Sequence, residues 1–88
     1  MKAEPSVIYV QIYSRPDCHL CEVAKKKILN FAREFPIHVE EIDISRDEEI
    51  LAAYWERIPL IFVNGRLAAK YRIDEKEFRR ILTKARRG

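Results

Sequence analysis

Only two cysteines occur in this 88-residue chain, Cys18 and Cys21. A pair three positions apart closes too short a loop to constrain much of the unfolded chain, so it makes a poor scaffold staple and reads as a reactive pair rather than a structural one. Histidine is as scarce, with only His19 and His38, and these do not complete a standard four-ligand zinc set with one Cys-x-x-Cys. No metal ligands are therefore assigned. Amide side chains are limited to Gln11, Asn30 and Asn64, a scarcity expected of a heat-tolerant chain. No apolar stretch approaches the ~20 residues that span a bilayer, and the N-terminus carries no long apolar segment or cleavage site of a secretory signal. A cytoplasmic protein with no membrane association is expected. Internal repeats, low-complexity segments and interdomain linkers are absent from the sequence.

What is present points to one small folded domain. Apolar residues make up 48% and charged residues 35%, a balance that favours a packed core over disorder. We expect a flexible tail over residues 1–6 and a single domain over residues 7–88. The formal charge is +3, with Arg72, Lys76, Arg79, Arg80, Lys84, Arg86 and Arg87 concentrated near the end. These cations suit the C-terminal end of a solvated helix face, and no nucleic-acid partner is expected.

Hydrophobic periodicity orders the elements. Val7-Ile8-Tyr9-Val10-Gln11-Ile12-Tyr13 is β-branched and aromatic, whereas Leu20, Val23, Ala24, Ile28 and Phe31 recur at helical spacing. Pro36 ends the helical pattern, and the stretch from Ile37 to Ile44 alternates as a second strand. Two strands joined by one helix form a parallel, right-handed βαβ unit. Ser45 and Glu48 have capping-box spacing ahead of Ile50, Leu51 and Tyr54, which predicts a short second helix. Leu60-Ile61-Phe62-Val63, the turn Asn64-Gly65 and the run from Arg66 to Tyr71 read as an antiparallel hairpin. Asp74 caps a last helix with Phe78, Ile81, Leu82 and Ala85 on one face. The predicted order is βαβαββα.

Cys18-His19-Leu20-Cys21 thus straddles the junction between the first strand and the first helix. Unpartnered N–H groups and the aligned peptide dipoles make a helix N-terminus partly positive, which favours a thiolate over a thiol. A free thiol titrates at about 8.5, whereas helix N-termini and Cys-x-x-Cys pairs lower that to roughly 3.5 to 7.5. Cys18 is accordingly the expected attacking thiol, and Cys21, one turn deeper, the resolving thiol. A positive His19 would favour the Cys18 thiolate and the Asp17 carboxylate would oppose it; Asp17 itself reads as a helix N-cap or turn residue.

Tyr13-Ser14-Arg15-Pro16-Asp17-Cys18-His19-Leu20-Cys21, then Ile58-Pro59 before a strand, then Asn64-Gly65, resembles the glutaredoxin-like branch of the thioredoxin superfamily over nearly the whole chain. The resemblance implies a thioredoxin-like α/β fold of glutaredoxin type, a four-stranded mixed sheet with helices on both faces. It implies the same nucleophile, Cys18, and the same resolving thiol, Cys21. It also implies a cis Pro59 facing the site, with the backbone of Ile58 pairing with the bound peptide or glutathione. Arg15 stands where many glutaredoxins carry a glutathione-binding Lys, and Tyr13 matches an aromatic position near the site. Where glutathione-binding members carry a Gly-Gly pair and acidic residues, this chain has Ala69-Lys70-Tyr71-Arg72, and His19-Leu20 replaces their common Pro-Tyr.

The function expected from these residues is reduction of protein or glutathione-mixed disulfides by a small monomeric dithiol oxidoreductase. No cofactor is expected to be bound. The substrate would be a disulfide-containing protein or small thiol, and the electron donor glutathione or a thioredoxin-type reductase. Two other readings use the same residues: a metal or iron–sulfur binding module, and a redox-inactive module that holds an extended peptide in the Ile58-Pro59 groove.

Overall fold

A computed structural model describes residues 7–87, and the tail expected over residues 1–6 lies outside them. Strand β1 spans Ile8–Ser14, helix α1 His19–Phe31, strand β2 Ile37–Asp43, helix α2 Glu48–Tyr54, strand β3 Leu60–Val63, strand β4 Arg66–Lys70 and helix α3 Glu75–Arg86. The sheet order is β2-β1-β3-β4. β1 pairs in parallel with β2, from Ile8 opposite Ile37 to Ser14 opposite Asp43, and antiparallel with β3, which pairs antiparallel with β4. The predicted order of elements and the mixed four-stranded sheet are both found.

Alternation along β1 divides the molecule. Ile8, Val10 and Ile12 leave the strand on one face and are fully buried, where they meet Ala24, Ile28 and Phe31 of α1 and Phe78 and Leu82 of α3. Tyr13 leaves on the opposite face, and its ring meets Tyr54 of α2 edge-on at 5.5 Å. A smaller cluster forms at that end of β1 from Cys21, Ile44 and Ile58, with Tyr13, Cys18, Ile50, Leu51 and Tyr54 packed against it. The larger core therefore anchors α1 and α3, and the smaller one fastens α2 beside the cysteines.

Turn chemistry fixes the connections. Asn64 and Gly65 both have positive φ, 49° and 84°, as a two-residue hairpin turn requires. Asn64 also extends the ladder: its amide donates to the Tyr9 carbonyl at 2.7 Å, and its side-chain oxygen accepts from the Tyr9 amide at 2.9 Å. Asp74 caps α3 by accepting from the Glu77 amide at 3.1 Å.

Two local expectations, the cap of α2 and the end of β4, need correction. The cap of α2 is Asp47, whose carboxylate accepts from the amides of Glu49 and Ile50, because Ser45 is already drawn into a 3-10 turn over Ile44–Arg46 capped by Asp43. Leu20 and Val23 follow helical spacing but lie exposed, outside the buried stripe of Cys21, Ala24, Ile28 and Phe31. β4 stops at Lys70 because Tyr71 takes φ 66°, which leaves the extended region.

Candidate active site

β1, β3 and α1 converge on the cysteines. After Ser14 the chain turns through Arg15, Pro16 and Asp17, the last with φ 61°, and enters α1 with Cys18 as N-cap. Asp17 is thus a turn residue and not the cap. The Cys18 Sγ accepts from the Cys21 amide at 3.1 Å, and the Cys18 carbonyl accepts the first helical bond, from Glu22, also at 3.1 Å. The two cysteines are joined as a disulfide, with Cα atoms 5.2 Å apart. They differ in access: Cys21 is 4% exposed and packs with Ile44 and Ile58, whereas Cys18 is only half-buried and lies at the edge of that cluster.

Opposite them lies the cis peptide Ile58-Pro59, in the isomer that the resemblance implied. Both side chains are buried, so a ligand at this strand meets backbone. The Pro59 carbonyl already accepts from the Tyr71 amide at 2.8 Å, which pins the segment after β4 to the same edge of the sheet.

The other candidate residues separate. Tyr13 is wedged between Tyr54 and Phe62, with ring centroids at 5.5 and 5.1 Å. Arg15 is exposed and lines a shallow cleft with Glu48, Leu51, Ala52 and Trp55 of the α2 segment. Among the described residues no group of three or more His, Cys, Asp or Glu side chains is placed to hold a metal ion.

Sequence reasoning missed a polar bridge behind the helix. Ser14, buried at the end of β1, donates to Glu41 of β2 at 2.9 Å, and Lys25 of α1 donates to the other Glu41 oxygen at 2.8 Å. The Lys25 and Ser14 hydrogen bonds hold the Glu41 carboxyl below its ordinary range, and the bond to Glu41 raises Lys25 above its own. Lys25 sits one helical turn beyond Cys21, so the bridge fixes the start of α1 against the β1–β2 pair. The sequence signal was slight: Glu41 interrupts the alternation of β2, and Cys21 and Lys25 have i, i+4 spacing.

A domain model described as a glutaredoxin-like domain (DUF836) matches residues 9–83, which include both cysteines, Pro59 and the hairpin. This chain belongs to that glutaredoxin-like family. A glutaredoxin-like protein of Dictyostelium discoideum is 34% identical over 76 residues, covering 77% of this chain and 68% of that protein. Among solved structures, a Nitrosomonas europaea protein superposes with a TM-score of 0.75 at 24% identity, covering 93% of this chain and 96% of its own. A protein from X. campestris gives 0.69 at 29% identity, covering 85% and 96%. A mutant thioredoxin from Halobacterium salinarum gives 0.63 at 17% identity, covering 90% and 74%, which shares the fold alone. The fold of this glutaredoxin-like chain is thus the thioredoxin fold. Among the described residues no helix is long and apolar enough to cross a membrane.

Proposed function

We propose that this glutaredoxin-like chain is a dithiol thiol–disulfide oxidoreductase that reduces protein or glutathione-mixed disulfides. The observation that carries the reading is the disulfide itself: a more accessible sulfur at the helix N-cap joined to a buried one in the next turn. The N–H that points at the Cys18 Sγ from Cys21 would stabilise negative charge on that sulfur after reduction.

In the reduced protein the Cys18 thiolate attacks one sulfur of a substrate disulfide. A Cys18–substrate mixed disulfide forms, and the other substrate sulfur leaves as a thiolate that takes a proton from water. Deprotonated Cys21 then attacks the Cys18 Sγ, which expels the second substrate thiolate and closes the Cys18–Cys21 disulfide. The substrate gains two electrons and two protons, and the protein loses them. Two molecules of glutathione, or one turnover of a thioredoxin-type reductase, restore the dithiol. The backbone at Ile58, beside the buried Pro59, supplies an edge for an extended substrate, while Tyr13 supports that edge by packing. Arg15, exposed beside the α2 segment, serves as a peripheral cation for an anionic substrate. We place the reaction in the cytoplasm, with the chain acting as a monomer.

A disulfide-reduction assay tests this reading. Wild type should be active, Cys18→Ser should lose all turnover, and Cys21→Ser should lose turnover of protein disulfides while still forming the mixed disulfide. Full activity in Cys18→Ser would contradict the assignment.

A further inference from the structure

The cleft beside the disulfide contains a side chain that its own backbone does not favour. Tyr71 has φ 66°, in the left-handed region that bulky residues avoid. The Arg72 amide donates to the Lys70 carbonyl at 2.6 Å, closing a three-residue turn around Tyr71 of the rare, strained kind. The surroundings impose this conformation. Tyr71 N–H is fixed on the Pro59 carbonyl, Lys27 Nζ donates to the Ile73 carbonyl at 3.2 Å, Ile73 is buried, and Asp74 is committed to capping α3. Glycine would take such a backbone without steric cost, so the presence of a tyrosine calls for a use of the ring.

Its neighbours indicate that use. Tyr71 lines a cleft of about 530 Å³ with Leu20, Val23, Lys27 and Arg72. Leu20 lies between the two cysteines in the chain and is one helical turn from Val23, so the cleft begins at the residue next to Cys21 in the chain, while Tyr71 on its far wall is hydrogen-bonded to the Pro59 carbonyl. Leu20, Val23 and Tyr71 are 42%, 37% and 44% exposed, and apolar side chains gathered in this way beside a reactive sulfur form a binding surface. Lys27 is occupied by the Ile73 carbonyl and by Glu75 at 3.8 Å, which leaves it poorly placed to take a carboxylate of glutathione.

Building on the thiol–disulfide reading, we propose that Tyr71, with Leu20 and Val23, determines specificity: the preferred substrate is a protein disulfide whose reacting cysteine is flanked by an apolar side chain. Glutathione has no apolar side chain beside its cysteine, so it is the poorer substrate. Tyr71 is a specificity residue that touches the flanking group and takes no part in the electron transfer.

The test compares kcat/KM for two peptide disulfides that differ only in Leu or Ser next to the cysteine, with glutathione disulfide as a third substrate. Wild type should prefer the leucine peptide over the serine peptide by about tenfold, the scale of one apolar contact, and should reduce glutathione disulfide less efficiently than the leucine peptide. In Tyr71→Gly the Leu/Ser ratio should collapse towards one, Tyr71→Phe should retain it, and Val23→Ser, on a separate element, should lower it. A thermal melt of each variant confirms folding. Equal use of the two peptides by active wild type, or an intact preference in folded Tyr71→Gly, would overturn the proposal while leaving the redox reading standing. A wild type that reduces none of the three would overturn both.

Discussion

At the scale of single residues, contrast in environment separates the two cysteines. They share a motif, yet Cys18 caps the helix at the rim and Cys21 is sealed against Ile44 and Ile58. The bridge from Ser14 through Glu41 to Lys25 shows similar local control. Glu41 titrates below its ordinary range in the folded chain, with the Lys25 hydrogen bond as the larger cause and the Ser14 bond next. Depression of a carboxyl adds stability above its unfolded pKa, and that increment is lost as pH falls through the folded value. Glu41→Gln should therefore be less stable than wild type at neutral pH and should converge on it in acid. Denaturant melts of both proteins across the acidic range check this, and a gap that persists in strong acid would show that the bridge acts by shape alone. The pair is partly solvated, with side-chain exposures of 44% and 42% for Lys25 and Glu41, so the gap should be modest.

At the scale of elements, the strongest patterns in the sequence became structure where one periodicity had no competitor. β1 alternates Ile8, Val10 and Ile12 inward, α3 repeats Phe78 and Leu82, and Asn64-Gly65 has one good solution as a turn. The short α2 was harder to delimit, because Ser45 and Asp47 are both competent caps and the 3-10 turn before the helix decides between them. Leu20 and Val23 keep the helical spacing yet lie exposed: spacing says which residues share a face, and it does not say where the burial of that face ends. The motif made the cysteines legible as a site, and the segment Ala69-Lys70-Tyr71-Arg72 stood out as a departure, whereas the positive φ of Tyr71 was not legible, since nothing in a tyrosine announces a left-handed backbone. The caps carry a measurable share of stability. Asp74→Ala should lower the unfolding free energy by about 1 kcal/mol through loss of the Glu77 amide bond. Chemical denaturation measures this loss, and Asp74→Asn should recover most of it because its oxygen can accept the same bond.

At the scale of the whole molecule, the topology brings distant segments to one edge of the sheet. The C-terminal ends of β1 and β4 and the start of β3 lie together because β3 runs antiparallel to both. Ile58 therefore packs against Cys21 beside Cys18, and the hydrogen bond from Tyr71 to the Pro59 carbonyl holds residue 71 at the same edge. The core of Ile8, Val10, Ile12, Ile28, Phe78 and Leu82 holds α1 and α3 on one face, so the reactive end of α1 is presented by a rigid frame. On the proposed function, this frame makes Cys18 the point at which electrons pass from the protein to the substrate and Cys21 the closing thiol. Trapping tests it most directly: reduced Cys21→Ser and reduced Cys18→Ser are each mixed with the leucine peptide disulfide, and the adducts are mapped by mass spectrometry. We predict a stable mixed disulfide on Cys18 in the first variant and little or no adduct in the second. Equally rapid capture by Cys21, or no adduct on either cysteine, would contradict it.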